Sequence, residues 1–370
     1  GSNRTAFCTP PIANPADFLN SIEENERYEE IENPRPPVGY GNDVWGYPDD
    51  AMDTFDSCEI NHIISELHNG ELDIYVVEIG GHKIVVVQYG NSRPQAFKFE
   101  VNDEANAIVQ GLNEGFSDIY SKSGSINPFS LGRILNGISN FFNNNYGEFK
   151  KYNFGTLKDF IFHATRGCYI SRGMLKIGTH GGYNYDRYDD TIGFWVSYNT
   201  QKSGLDKYLS FKDEPLDKMD IFDYANLMKS ICWEESKLNG DDDWPSNFES
   251  DDSIARGPMQ VIPESMPEPW KSAARQKSDF LNIGAGITQF FRQQLPKAMN
   301  QNEFTTFTRL PTWQELKNAT QFYYGTGEGT WYSSQVWLNF KRMRQGRKPL
   351  DLESYWNLDE LSPEEYNLDR

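Results

Sequence analysis

Ile221, Ala225, Met228, Cys232 and Glu235 follow one another at spacings of 4, 3, 4 and 3, the interval that lines one face of an α-helix. A carboxylate therefore arrives where an apolar side chain belongs. Burial disfavours the charged form of a carboxyl and raises its pKa, which is what a general acid needs to carry a proton near neutral pH. The plainer alternative is that Glu235 only marks a helix end facing solvent. Glu234 lies about 100° round the same helix and is the weaker candidate.

The residues that follow favour the acid. Glu235–Ser236 leads into an acidic stretch and then Ala255–Arg256–Gly257–Pro258–Met259–Gln260–Val261–Ile262–Pro263. Further on come Asn282–Ile283–Gly284–Ala285–Gly286–Ile287 and Tyr323–Tyr324–Gly325–Thr326–Gly327–Glu328–Gly329. In this order the four elements resemble the soluble lytic transglycosylases and goose-type lysozymes of the lysozyme-like superfamily. Those enzymes carry Glu-Ser at a helix end, then Gly-Leu-Met-Gln with an aliphatic pair and Pro, then Asn-Ile with a spaced Gly, then Ala-Tyr-Asn-x-Gly-x-Gly. The resemblance covers roughly residues 215 to 345. It departs from the pattern at Pro258, where the family has Leu, and at Gly325, where it commonly has Asn. The stretch between Glu235 and Gln260 is also longer, by an insertion running from Asp241 to Asp252.

The resemblance implies cleavage of the β-1,4 bond between N-acetylmuramic acid and N-acetylglucosamine in peptidoglycan. Glu235 would be the catalytic acid and then base, with Ser236 orienting it or the sugar. Met259 and Gln260 would line the site of cleavage, Gln260 bonding a sugar N-acetyl group or hydroxyl. Tyr324 would hold the Glu235 carboxyl or stabilise the transition state, and Asn282 would brace the fold. Lytic transglycosylation needs one carboxyl, no water, no metal and no cofactor. An inverting hydrolase instead needs a second carboxylate roughly 6.5 to 9.5 Å away to position water, and Asp251 or Asp252 are the candidates for that role. The Asp241–Asp242–Asp243–Trp244–Pro245 run lacks the alternating ligands and central Gly of a calcium loop, so a solvated acidic loop is the plain reading of it.

Other combinations are weaker. Cys8, Cys58, Cys168 and Cys232 contain no C-x-x-C pair, which argues against a zinc knuckle or dithiol motif and leaves a Cys58–Cys168 disulfide open. His163 and His180 flank Cys168 without a spacing that makes a nucleophile and base. His62 and His68 are six residues apart, the wrong interval for one helical face. The glycines from Gly325 to Gly329 follow a helix, not a strand, and so fail the context test for a phosphate loop. The basic run Lys341 to Lys348 closes the last helix, where cations complement its dipole; gripping the peptide carboxylates of murein is the functional alternative.

The elements that must position these residues divide the chain into four parts. Residues 1–55, rich in Pro and Glu, read as an extended arm or linker. Residues 56–205 read as an α+β accessory domain. It has a helix near Ile60–His68, a hairpin of Leu72–Ile79 and Lys83–Tyr89 around Gly80–Gly81, and amphipathic helices over Ala105–Tyr120 (Ala107, Val109, Leu112, Phe116, Ile119) and Leu131–Phe142. A turn at Gly181–Gly182 and a strand over Thr191–Tyr198 close it. Residues 215–345 read as a mainly α, lysozyme-like domain with helices over Ile221–Leu238, Ser278–Gln294, Thr312–Tyr324 and Trp331–Met343. Residues 346–370 form an acidic tail. The fold class expected is thus α+β, with an N-terminal α+β domain before a mainly α one.

Over the whole chain, 370 residues carry 24 Phe, 20 Tyr and 9 Trp, an aromatic load that a disordered polymer would not have. The net charge of −19 repels a polyphosphate and an anionic membrane surface, which sets nucleic acid aside as a partner. No run approaches the ~20 apolar residues of a membrane span, so a soluble chain is expected, acting on the bacterial cell wall in the periplasm or after secretion. No charged-then-apolar leader follows Gly1–Ser2, which neither shows nor excludes export. So acidic a protein would not adhere to the wall by charge, which favours delivery by a partner, as for an antibacterial effector with an immunity protein or a component of an envelope-spanning machine. The competing readings are a muramidase, a murein-binding scaffold without turnover, and the same fold acting on chitin or chitosan.

Overall fold

The computed structural model describes residues 72–79, 82–89, 95–98, 105–124, 131–212, 219–239, 244–325 and 331–350. These are mostly helical with few strands. The expected helix at 60–68, the arm, the tail from Asp351 on, the Asp241–Asp243 run, the Gly325–Gly329 run beyond its first residue, and Cys8 and Cys58 lie outside them. The chain divides into two compact units, residues 1–150 with 155–165, and residues 151–154 with 166–370.

In the first unit, β1 (Leu72–Ile79) and β2 (His82–Tyr89) pair antiparallel from Leu72 opposite Tyr89 to Ile79 opposite His82. β3 (Gln95–Lys98) adds to β2, with Val85 opposite Phe97. Two long helices follow, α1 (Ala105–Ser123) and α2 (Leu131–Lys151). The buried stripe of α1 is Ile108, Leu112, Phe116 and Ile119, so Ile108 takes the place expected of Ala107 and Val109. On α2, Phe141, Phe142 and Phe149 gather round Phe160 of α3 (Leu157–Gly173). Helix α3 is divided between the two units after Thr165.

The second unit takes in residues 166–205, which the sequence assigned to the accessory domain. A two-residue hairpin, β4 (Thr179–His180) with β5 (Tyr183–Asn184), turns at Gly181–Gly182. It leads into helix α4 (Asp189–Lys202), not the strand expected over Thr191–Tyr198. Every residue of α4 from Ile192 to Thr200 is buried. A helix enclosed on all sides has no polar face to betray its 3.6-residue period, and its Val, Trp and Tyr content imitates a strand. Trp195, fully buried, donates its indole N–H to the Phe280 carbonyl at 2.8 Å and so fastens α4 to α7 (Asp279–Gln289).

α5 (Ile221–Ser236) runs through the middle of this unit, packed on α4 and α10 (Trp331–Arg344). A capping box starts it: the Asp220 carboxylate accepts from the Asp223 amide at 2.8 Å and Asp223 returns the bond at 3.1 Å. Lys237, in the left-handed conformation at φ 55°, ends it. Midway, the ammonium of buried Lys229 lies 2.8 Å from both Asp186 and Asp189, and Lys176 reaches Asp189 at 2.6 Å. Burial opposes ionisation of Asp186, yet the Lys229 contacts and the amides of Ile177 and Gly178 outweigh it and hold this carboxyl below its usual range. The hairpin before α4 is thereby bolted to the helix that carries Glu235. After a short α6 (Trp270–Ala274), α7 passes through a π-helical stretch, Phe290–Gln294, into α8 (Leu295–Ala298), and α9 (Trp313–Tyr324) follows. No described helix is long and apolar enough to cross a membrane.

Candidate active site

Glu235 stands one residue before the C-terminal end of α5, where its apolar stripe ends. The residue is half-buried, but its carboxyl is packed round by protein. Desolvation pushes its pKa up from 4.5 to about 7, against a hydrogen bond from Tyr332 that lowers it; Glu234 adds a smaller upward push and Lys237 a smaller downward one. The Tyr332 hydroxyl, on the first turn of α10, donates to Glu235 Oε1. Tyr332 is buried, and Tyr324 lies face to face with it, ring centroids 4.8 Å apart and 23° from parallel. Tyr324 itself is 51% exposed.

Glu234 is spoken for. Its Oε1 accepts from Asn339 Nδ2 at 2.6 Å, and Lys237 stands 4.0 Å from its Oε2. Asn339 also accepts from the Leu350 amide at 2.7 Å, while the Leu350 carbonyl takes the Trp233 indole N–H at 3.0 Å. Of the two adjacent glutamates, one is tied to the scaffold and the other is left with a single phenol.

Arg256 to Val261 form a tight hairpin beside this helix end. Arg256 and Val261 exchange both backbone bonds, at 3.1 and 3.0 Å, with Gly257 (φ 72°) and Gln260 (φ 47°) in left-handed conformations. Buried Asn282 of α7 clamps the turn: its Oδ1 accepts from the Met259 amide and its Nδ2 donates to the Arg256 carbonyl, both at 2.8 Å. A Cβ on Gly257 would fall 2.5 Å from the Asn282 amide carbon, so only glycine fits there. On the other side the Tyr323 hydroxyl donates to the Met259 carbonyl at 2.8 Å. A Cβ on Gly286 would stand 2.5 Å from Met259 Cβ and 2.7 Å from that hydroxyl, so Gly286 clears the space in which they meet. The Cys232 thiol points at the Pro258 carbonyl, 3.4 Å away, joining the turn to α5.

The residues singled out from the sequence thus fall into distinct places. Glu235 holds the acid position. Ser236 is buried and turns its hydroxyl back to the Cys232 carbonyl at 3.0 Å, so it ties the helix end to itself. Met259 is fully buried, its side chain packed against Gly286 of α7 and its backbone bonded to Asn282 and Tyr323. Gln260 is half-buried, with Nε2 on the Gly257 carbonyl at 3.0 Å. The phenol on Glu235 belongs to Tyr332, whereas Tyr324 was the residue expected; Tyr324 adjoins it as the outer ring of the stack. Sequence reasoning passed over Tyr332 because it lies beyond the last motif, at the start of a helix whose period alone was read.

The described part of the acidic insertion, residues 244–252, is built around a cation. Fully buried Arg256 donates through Nε to the Ile254 carbonyl at 3.1 Å and through its other nitrogens to the carbonyls of Phe248 and Asp251. Asp251 accepts from the Ser253 amide and hydroxyl at 2.9 and 2.6 Å. Asp252 is paired with the Arg275 guanidinium, its nearer contact with Nε being 2.9 Å, and Lys271 stands 4.0 Å away. Both carboxyls are held below their ordinary range, Asp251 chiefly by Ser253 and Asp252 chiefly by Arg275. Neither has the proton affinity of a good base near neutral pH.

Among the described residues no cluster of three His, Cys, Asp or Glu could hold a metal ion. Cys168 and Cys232 are buried thiols, and burial pushes Cys168 well above its usual range, so it is a poor nucleophile. His180 is exposed, with Nε2 2.9 Å from the Ile177 carbonyl. In the basic run, Arg342 bonds the Lys348 carbonyl at 2.7 Å and Arg344 pairs with Asp223, so these two cations are used within the fold. No family model matches the chain, nor does any curated protein or solved structure.

Proposed function

We propose that the chain cleaves the glycan strands of peptidoglycan, most simply as a lytic transglycosylase, with Glu235 as acid and then base. The observation that carries this reading is one carboxyl with a pKa near 7, packed against a buried phenol and beside the glycine-turned Arg256–Val261 hairpin. As the bond from C1 of N-acetylmuramic acid breaks, its electron pair goes to the leaving oxygen of N-acetylglucosamine, which takes the Glu235 proton. The muramyl 6-hydroxyl then adds to C1 and returns its proton to the Glu235 carboxylate, closing a 1,6-anhydro ring. Atoms balance with no water consumed. One carboxyl at pKa about 7 suits both halves of this cycle. The ties of Asp251 to Ser253 and of Asp252 to Arg275 favour this route over an inverting hydrolysis that would need one of them as base. In this reading residues 215–345 are the lysozyme-like domain. The α+β part before it is a binding or delivery accessory, and the site of action is the cell wall, reached through a partner.

Mass spectrometry of muropeptides released from purified murein tests it. Wild type should yield 1,6-anhydromuramic products and Glu235→Gln none. Products with reducing ends would mean hydrolysis, and no release by either protein would leave a wall-binding scaffold.

A further inference from the structure

We propose that the β4–β5 hairpin is a second glycan-binding site, with Tyr183 as the stacking platform for an N-acetylated β-1,4-linked sugar. The inference rests on the reading of the chain as a murein-cutting enzyme, and it adds a hold on the polymer away from the acid. Every residue from Thr179 to Asn184 is exposed. This tip, Thr-His-Gly-Gly-Tyr-Asn, carries no Asp, Glu, Lys or Arg. On a chain with a net charge of −19, an uncharged tip is a place where an anionic polymer can touch without strong repulsion. The neutral sugars of such a polymer, rather than its carboxylates, are what the tip can grip.

A hairpin with two residues per strand has too few bonds to hold its own shape. Here the fold holds it. Asp186 accepts from the Ile177 and Gly178 amides at 3.1 and 2.7 Å and from Lys229 at 2.8 Å. Lys229 and Asp189 are buried, which costs desolvation, and the cluster they form anchors a tip that itself lies in water. The Tyr183 ring is fixed as well. It meets Trp233 edge to face with centroids 5.7 Å apart and lies 6.1 Å from Tyr185. Trp233 is buried beneath it, and Tyr183 stays 39% exposed. A supported aromatic ring offers the C–H face of a pyranose a flat apolar surface at little cost in entropy. His180 lies opposite Tyr183 in the hairpin register, and cross-strand partners share a face. Its Nε2 donates to the Ile177 carbonyl at 2.9 Å, which leaves Nδ1 as an acceptor in the neutral ring. A phenol hydroxyl and a ring nitrogen beside an aromatic platform match a sugar that bears hydroxyl and N-acetyl groups. Trp233 and Glu235, two residues apart, leave α5 about 200° apart, so hairpin and acid stand on opposite flanks of one helix end.

The test uses the full chain carrying Glu235→Gln, so that binding is read without cleavage. In NMR spectra of nitrogen-15-labelled glycine, the Gly181 and Gly182 amide signals, assigned with Gly181→Asn and Gly182→Asn, should shift as chitohexaose is added. Tyr183→Ala should abolish the shift at the remaining hairpin signals and weaken co-sedimentation with purified murein about three- to tenfold. Tyr183→Phe, which keeps the ring, should retain the larger part of both. Co-sedimentation should survive removal of the stem peptides from the murein by an amidase, because the sugar is the ligand. Glycine signals unmoved by chitohexaose, or sedimentation lost along with the peptides, overturn the proposal. Binding that depends on Tyr183, in a protein whose wild type releases no muropeptides, supports the site and overturns the proposed function instead.

Discussion

At the scale of single residues, a carboxyl kept protonated by burial costs the fold stability whenever it must ionise. Glu235 titrates near 4.5 when free and near 7 in the fold, so between these values the folded chain holds a proton that the unfolded chain has lost. Stability is then full below about pH 4.5 and falls as pH rises through about 7. Glu235→Gln removes the penalty. It should match wild type at pH 4 and exceed it at pH 8 by roughly 2 to 3 kcal/mol, read from urea melts at the two pH values, while cleavage is abolished. A melt difference independent of pH would mean that the carboxyl is hydrated. Asn282 makes a complementary case, since it carries no charge and touches only backbone. Asn282→Ala orphans the buried Met259 amide and removes one of the two donors of the Arg256 carbonyl, which keeps the Val261 amide. The loss should be about 1 to 3 kcal/mol, together with reduced turnover as the Met259 turn loosens.

At the scale of elements, α1, α2 and α9 alternate buried and wet positions and were legible from that spacing. α5, α7 and α10 are buried over most of their length, and their apolar residues still recur every three to four positions in the sequence, which is what exposed them as helices. α4 is enclosed on every side and passed for a strand, and α3, mostly buried, left no clear period either. Glu235 was legible because a carboxylate on an apolar stripe is a conspicuous violation. Tyr332 was not, because a tyrosine on the first turn of an amphipathic helix violates nothing. The Lys229 cluster was hidden for another reason, since its partners lie 40 and 43 residues upstream on a hairpin and on the start of α4. Lys229→Met would leave Asp186 and Asp189 buried without their shared cation. A loss of about 3 to 5 kcal/mol is expected, and Lys229→Met combined with Asp189→Asn should recover part of it in thermal melts.

At the scale of the molecule, 35 basic and 54 acidic side chains leave −19, and the substrate proposed is itself anionic. Association with murein should therefore be slowed by repulsion at low ionic strength and eased by screening. Clearing of a murein suspension should quicken severalfold between roughly 0.01 and 0.15 M salt, as the Debye length shrinks from about 30 to about 8 Å. A rate that falls over this range would point to a basic docking face. The two-unit division bears on this, since repulsion at the wall is what a separate delivery unit would have to overcome.

Leu350 carries a practical lesson for anyone trimming this protein. Its carbonyl is a neutral acceptor for Trp233 and Asn339, right beside Glu234. A stop codon placed directly after it would turn that carbonyl into a terminal carboxylate and set a new anion within reach of the glutamate pair. Such a shortened protein would hold the Glu235 proton more tightly than the parent, so a truncation that looks innocuous on a gel would detune the proposed activity. Capping the new end as an amide should restore it.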